Sequence, residues 1–212
     1  MNRKFSRVLI AAILLFCAAA FAQAPAPAPT SKAPADLVDL VKKQFGPDFE
    51  IVTESPAARI VGATGMGDEP ADWSPVLTGD FNGDGVEDAI IIVRNKNATI
   101  GADAYHYKVL DAYNGHFGWG DPNVTAGFST NDPLHDLSLL IIHGEGKDGW
   151  RAAEPKAKFV LVNIPFIKVS ITRAMLKKKP VNAIRVDESD TVSSLVAWDG
   201  RKYHYVPGGG SN

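Results

Sequence analysis

The chain has 212 residues, 45% of them hydrophobic, with 22 basic and 24 acidic side chains and a formal net charge of −2. The acidic excess argues against nucleic acid or an anionic membrane surface as a partner. Cys17 is the one cysteine in the sequence, which excludes an intramolecular disulfide, so a hydrophobic core has to stabilise the fold.

The first 22 residues are predicted to be a signal peptide. Three basic residues precede an apolar segment, Val8 to Phe16, which is too short to span a membrane. Ala20 and Ala22 supply the small side chains of a cleavage site. Cys17 could instead carry a lipid anchor, but the bulky Phe16 stands where that signal needs a small residue. Cleavage after Ala22 predicts an exported protein, periplasmic or extracellular, with a charge of −5 because the lost charges are all basic.

Three further segments are predicted. Residues 23–34 are an Ala/Pro-rich tether, since repeated Ala-Pro favours an extended, semi-rigid chain. Residues 35–207 are expected to form a single domain, because a chain of this length suits one core. Residues 208–212 begin with three glycines and are predicted to be a flexible tail. No segment after the signal peptide is apolar enough to predict a membrane span, and a monomer is expected.

The domain is predicted to be an α+β fold, a mostly antiparallel sheet of about seven to nine strands with an N-terminal amphipathic helix. Leu37, Leu40, Val41 and Phe45 follow helical spacing, and Gly46-Pro47 ends the pattern. Strands are predicted for the apolar or alternating runs Ala89–Val93, Tyr105–Tyr113, Leu137–Ile142, Phe159–Ile164, Ile167–Ile171, Val181–Val186, Val192–Trp198 and Arg201–Val206.

The last two predicted strands are expected to form a β-hairpin. Asp199-Gly200 lies between them, and this dipeptide is typical of a two-residue turn. Such a turn sets Trp198 opposite Arg201 and Val196 opposite Tyr203.

One loop carries the clearest chemical signal in the sequence. In Thr78 to Asp88, oxygen-bearing side chains stand at positions 1, 3, 5 and 9 of a short loop, in the order Asp80, Asn82, Asp84 and Asp88. Ca²⁺ takes about six to eight oxygen ligands, including backbone carbonyls, and Val86 can offer its carbonyl from position 7. Gly85 at position 6 is expected to adopt the positive φ that turns the chain back. We therefore predict a calcium site at Asp80, Asn82, Asp84, Val86 and Asp88.

The residues after this loop distinguish between two kinds of calcium motif. An EF-hand needs a glutamate at position 12 and a helix, but Ile91 stands there within a β-branched run that predicts a strand. With strands on both sides, the stretch GDFNGDGVEDAIII resembles the FG-GAP/VCBS-type calcium loop of integrin-like repeats. The resemblance implies a calcium loop in a secreted protein. It does not extend to a propeller, because the chain holds a single copy and a propeller needs several blades.

Other chemistry remains open in the sequence. A metal-free turn rich in Asp and Asn is the alternative for the loop itself. His143 and Glu145 follow a predicted strand and could serve a metal-dependent hydrolase, although no third ligand stands at a known spacing, and we expect both to be surface positions. Trp73, Trp119 and Trp150 could stack on a glycan or grip a protein, or could close the ends of the core.

The sequence thus predicts an exported, non-enzymatic calcium-binding protein, a binding or structural module with a glycan or protein as possible partner.

Overall fold

The structure, a computed structural model, describes residues 33–58, 73–95, 97–118, 137–176 and 179–208. The predicted signal peptide, most of the predicted tether and all but the first residue of the predicted tail lie outside these ranges. Within them, no helix combines the length and apolar character that crossing a membrane requires.

The described residues form a mixed α and β fold with two mostly antiparallel sheets, where the sequence predicts a single sheet. The α-helices with described bounds are α1 (Ala35–Phe45), α2 (Ala102–Tyr105) and α3 (Ala112–His116), and Gly146–Asp148 form a 3₁₀ helix. The described residues contain ten strands, where the sequence predicts about seven to nine. They are β1 (Glu50–Ile51), β2 (Val76–Gly79), β3 (Asp88–Arg94), β4 (Lys108–Leu110), β5 (Leu137–His143), β6 (Ala157–Leu161), β7 (Lys168–Leu176), β8 (Lys179–Asp187), β9 (Ser193–Trp198) and β10 (Tyr203–Pro207).

The larger sheet has the order β1–β3–β5–β6–β4, and β2 shares one side of β3 with β1. β1 pairs with Val93 and Arg94 at the end of β3, while β2 pairs with the residues from Asp88 to Ile91. All pairs are antiparallel except β4 with β6. The smaller sheet is the antiparallel meander β7–β8–β9–β10.

The strands β3 and β5 are buried on both faces because the larger sheet lies between two cores. One face packs against the smaller sheet, with Ile90, Ile92 and Ile141 contributing to that core. The other face packs against α1 through Ile91 and Leu140. Burial on both faces explains why these two strands read as unbroken apolar runs instead of alternating patterns.

The C-terminal hairpin has a different register from the predicted one. Trp198 pairs with Tyr203 and Val196 with Tyr205, so four residues connect the strands instead of two. The side chain of Asp199 is the physical reason, because its Oδ1 accepts hydrogen bonds from the amides of Arg201 (2.8 Å) and Lys202 (3.0 Å). A carboxylate that satisfies these amides stabilises a wider turn.

The predicted strand from Tyr105 to Tyr113 is wrong except at its centre. Only β4 is extended, and the short helices α2 and α3 flank it. Asp111 explains the second boundary, because its Oδ1 accepts the Asn114 amide at 2.9 Å and thereby caps α3.

His143, the last residue of β5, is also placed differently from expectation. The sequence predicts a surface position, but the side chain is only 2% exposed. Its Nε2 lies 2.7 Å from the Tyr203 hydroxyl, and its ring packs edge-on against Trp198 at 4.9 Å between centroids. Burial lowers the pKa of His143 to about 4, so the imidazole is neutral at neutral pH.

This shift predicts a pH-dependent contribution of His143 to stability. The usual pKa of histidine is 6.5, and that of His143 in the folded protein is about 4. Between these two pH values His143 binds a proton in the unfolded chain but not in the folded protein. The contribution of His143 to the free energy of unfolding is therefore complete above pH 6.5. It falls by roughly 3 kcal/mol as the pH is lowered towards 4. We expect His143→Gln to have a lower free energy of unfolding than wild type at pH 7. This difference should be about 3 kcal/mol smaller at pH 4. Urea unfolding across this range measures the gap.

The variant has to be compared with wild type at each pH because Asp88, present in both proteins, changes the free energy of unfolding with pH in the opposite direction. Burial raises the pKa of Asp88 to about 6, so its contribution to stability falls as the pH rises through the same window. The control is Lys147→Gln at an exposed position, which removes no histidine and should keep a constant difference from wild type in the free energy of unfolding. A gap between His143→Gln and wild type that is constant with pH would contradict the buried neutral imidazole.

Candidate metal site

The predicted calcium loop connects β2 to β3 and turns sharply at two glycines. Gly83 has φ +78° and Gly85 has φ +84°, a region that side chains other than that of glycine rarely adopt. The predicted positive φ of Gly85 is confirmed. A Cβ at either position would meet no atom within 4 Å, so the conformation and not the space calls for glycine.

The side chains at positions 1, 3 and 5 fold back over the loop and bind its own amides. Asp80 accepts hydrogen bonds from the amides three, four and five residues further along, at 2.7, 3.2 and 2.9 Å. Asn82 Oδ1 accepts the Asp84 amide, and Asp84 Oδ1 accepts the Val86 amide, both at 2.9 Å. The structure therefore brings these three side chains onto the inner side of one turn. Val86, predicted to offer its carbonyl, uses its amide here.

Asp88 has a different environment from the other three side chains, Asp80, Asn82 and Asp84. It is the first residue of β3 and is fully buried. Its Oδ2 accepts the amides of Phe81 (2.8 Å) and Asn82 (3.2 Å), and its Oδ1 accepts the amide of Gly144 at 2.8 Å. Burial raises its pKa to about 6 although these amides lower it, and the charge of Asp84 adds to the rise. Asp88 thus anchors the start of the loop to the end of β5.

A lysine from another part of the chain reaches the loop. Lys156 Nζ lies 2.6 Å from Asp84 Oδ2. Burial would raise the pKa of Asp84, but the hydrogen bond and charge of Lys156, together with the Val86 amide, lower it overall. In turn, the hydrogen bond and charge of Asp84 raise the pKa of Lys156. Both groups are therefore charged at neutral pH.

The β5–β6 loop, residues 144–156, lies against the calcium loop at Glu87. Trp150 Nε1 donates to Glu87 Oε1 at 2.9 Å, and Arg151 stacks over the Trp150 ring at 4.0 Å. A Cβ on Gly144 would lie 2.2 Å from the Glu87 carbonyl oxygen, so only glycine allows this approach. Trp150 is 4% exposed and belongs to the core, which removes its face from any glycan, while Trp119 lies outside the described residues.

The predicted calcium loop also contacts the smaller sheet. Phe81 is 1% exposed and packs in the core between the two sheets. Asn182 of β8 donates its Nδ2 hydrogen to the Asp80 carbonyl at 2.8 Å. The loop therefore joins the larger sheet, through Asp88, to the smaller sheet, through Phe81 and the Asp80 carbonyl.

The other predicted pair is not brought together. His143 is buried with its Nε2 against Tyr203, whereas Glu145 is exposed and bridges Gly149 through its backbone. In the part of the chain that the structure describes, no three His, Cys, Asp or Glu side chains form a ready group for a metal ion. This includes Asp80, Asp84 and Asp88 of the predicted calcium loop, whose carboxylates accept backbone amides instead.

Sequence reasoning did not connect four residues to this region: Gly144, Trp150, Lys156 and Asn182. Their contacts to the loop span 56 to 102 residues along the chain. Spacing rules act over a few residues and carry no information about such partners. Glycine at 144, directly after a strand, is the one local signal of a close approach, and it does not name the neighbour.

Gly144 gives a direct test of how closely the two loops pack. We expect Gly144→Ala to lower the free energy of unfolding by about 1–3 kcal/mol or more, because the new Cβ meets backbone that has to shift. Gly115→Ala in α3 is the matched control, since no atom lies within 4 Å and a helical alanine should add about 0.5–1 kcal/mol. Urea unfolding in chelator measures both. A Gly144→Ala protein as stable as wild type would refute the contact.

Comparisons of the whole chain with family models, with curated proteins and with solved structures find no match. The resemblance to the FG-GAP/VCBS-type loop therefore rests on its own residues. The function has to be argued from the geometry of the loop and its contacts.

Proposed function

We propose that this chain is an exported calcium-binding protein, a binding or structural module whose ion is held by the Asp80–Asp88 loop. The observation that carries the proposal is the inward fold of Asp80, Asn82 and Asp84 over one turn. Oxygen ligands that alternate along a tightly turned chain are the arrangement that Ca²⁺ favours.

The acceptor capacity of these side chains fits a hard cation. A carboxylate has about four lone-pair sites and an amide oxygen two. The hydrogen bonds in the structure use three sites of Asp80 and of Asp88, two of Asp84 and one of Asn82. Every one of the four keeps at least one site. Ca²⁺ takes about six to eight oxygen ligands, and the Val86 carbonyl and water would supply the remaining ones.

The charges favour a cation over a metal-free turn. Asp80, Asp84 and Asp88 place three carboxyl groups in one short loop, and the charge of Asp84 raises the pKa of Asp88. Among the described residues, Lys156 is the cationic side chain in contact with them, and it neutralises a single charge. A bound Ca²⁺ supplies two further positive charges and relieves the repulsion.

The contacts of the loop support a structural role for the ion. Because the loop touches both sheets, holding it in one conformation also holds Phe81 and the Asp80 carbonyl against the smaller sheet. The predicted signal peptide supports a location outside the cytoplasm, and a glycan or another protein remains the proposed partner. The alternative hydrolase has no comparable support, since His143 is buried and not bonded to Glu145.

Calcium is expected to stabilise the fold by mass action. At a hundredfold excess over Kd the gain is about 2.7 kcal/mol, which raises the melting temperature by roughly 5–10 °C for a protein of this size. Asp84→Ala should abolish the rise because it removes a central ligand. Magnesium should do much less, because it requires a tight octahedral shell. Melting curves of wild type and Asp84→Ala in chelator, calcium and magnesium test this.

Two controls separate loss of the ligand from loss of charge. Asp190→Ala removes an exposed acid from the β8–β9 turn and should keep the full rise. Glu87→Ala should melt at a lower temperature in chelator, because Trp150 loses its acceptor, yet should still respond to calcium. If wild type melts at the same temperature in all three buffers at millimolar ion, the calcium site is refuted.

A further inference from the structure

Lys156 occupies the calcium loop in a way that the calcium motif does not require. Its Nζ lies 2.6 Å from Oδ2 of Asp84, the central side chain of the proposed ligand set. Lys156 comes from the end of the β5–β6 loop, 72 residues away in sequence. A cation is thus already placed on one of the carboxylates that Ca²⁺ would use.

We propose that Lys156 is a built-in competitor of Ca²⁺: its ammonium group neutralises Asp84 in the metal-free loop and leaves Asp84 when the ion binds. The inference rests on the proposed calcium site and describes how that site is regulated. Lys156 sets the affinity of the loop, so that calcium binds only where its concentration is high enough to displace the lysine.

The geometry allows this exchange without unfolding the neighbourhood. The Lys156 amide donates to the His143 carbonyl at 3.0 Å, which fixes the backbone beside the loop. The side chain is 51% exposed, so its flexible stem can swing into solvent. Glu145, at the other end of the same loop, is exposed, and its negative charge attracts the Lys156 ammonium group.

Electrostatics makes the two cations exclude each other. Two positive groups on one carboxylate repel each other at close range. Near a protein surface this repulsion is stronger than it would be in bulk water. By linkage, a lysine that weakens calcium binding is itself released by calcium to the same degree. Without the lysine, no cationic side chain among the described residues contacts Asp84 until calcium arrives. Removing Lys156 is therefore expected to tighten calcium binding and to destabilise the metal-free protein.

Calorimetric titration of the full chain with calcium tests the proposal. Lys156→Met should bind calcium about three- to tenfold more tightly than wild type, whereas Lys156→Arg, which keeps the charge, should stay near wild type. Lys147→Met is the matched control, because it removes an exposed lysine from the same loop without touching Asp84, and its affinity should change less than about twofold. In chelator, Lys156→Met should melt below Lys147→Met.

The outcomes distinguish this inference from the calcium site itself. Calcium binding by wild type with equal or weaker binding by Lys156→Met overturns the competitor role and leaves the calcium site standing. No calcium binding by wild type or Lys156→Met overturns both. If Lys156→Met is poorly folded, Lys156→Gln gives the same decision with a polar side chain of similar length.

Discussion

The region depends most on the buried carboxylate of Asp88. It gathers three backbone amides, two from the loop before it and one from the end of β5. Hydrogen bonds to a charged group are worth roughly 1.5–3 kcal/mol each, and three of them offset a large part of the cost of burying the charge. The pKa of Asp88 is nevertheless raised to about 6, because the three hydrogen bonds do not offset the whole cost of burying the charge.

The two buried strands explain why Asp88 can hold this position. β3 and β5 pair along six residues, with α1 covering one face and the smaller sheet the other. The end of this rigid pair places Asp88 and Gly144 side by side. The loop therefore has one end fixed in the core, while Asp84 at its turn is exposed. That contrast suits the proposed ion site, since one end of the loop is held in place and an ion could still reach Asp84.

Local sequence patterns predicted the parts of the molecule that local chemistry determines. Strands β5 and β8 lie where apolar or alternating runs indicate, and Gly85 has the positive φ that its place in the loop requires. The hairpin register was wrong because Asp199 binds two amides and widens the turn. The predicted strand from Tyr105 to Tyr113 was wrong at its C-terminal end because the Asp111 cap begins a helix that alternation alone conceals.

The environment of the site could not be predicted for a different reason. Trp150, Lys156 and Asn182 reach the loop from far along the chain, and only the tertiary fold brings them there. The spacing of Asp80, Asn82 and Asp84 identifies a possible ion site. It does not reveal that a lysine already binds one of these carboxylates.

Those long sequence separations also determine the order in which the region can form. The loop meets Gly144, Lys156 and Asn182 at separations of 56, 72 and 102 residues, and closing such long segments costs chain entropy before any contact rewards it. The β7–β10 meander, by contrast, is built from neighbouring hairpins. A chain made from its N terminus exposes Asp80 long before Asn182 exists. We therefore expect the loop to complete its contacts only after the strands that carry its partners have formed.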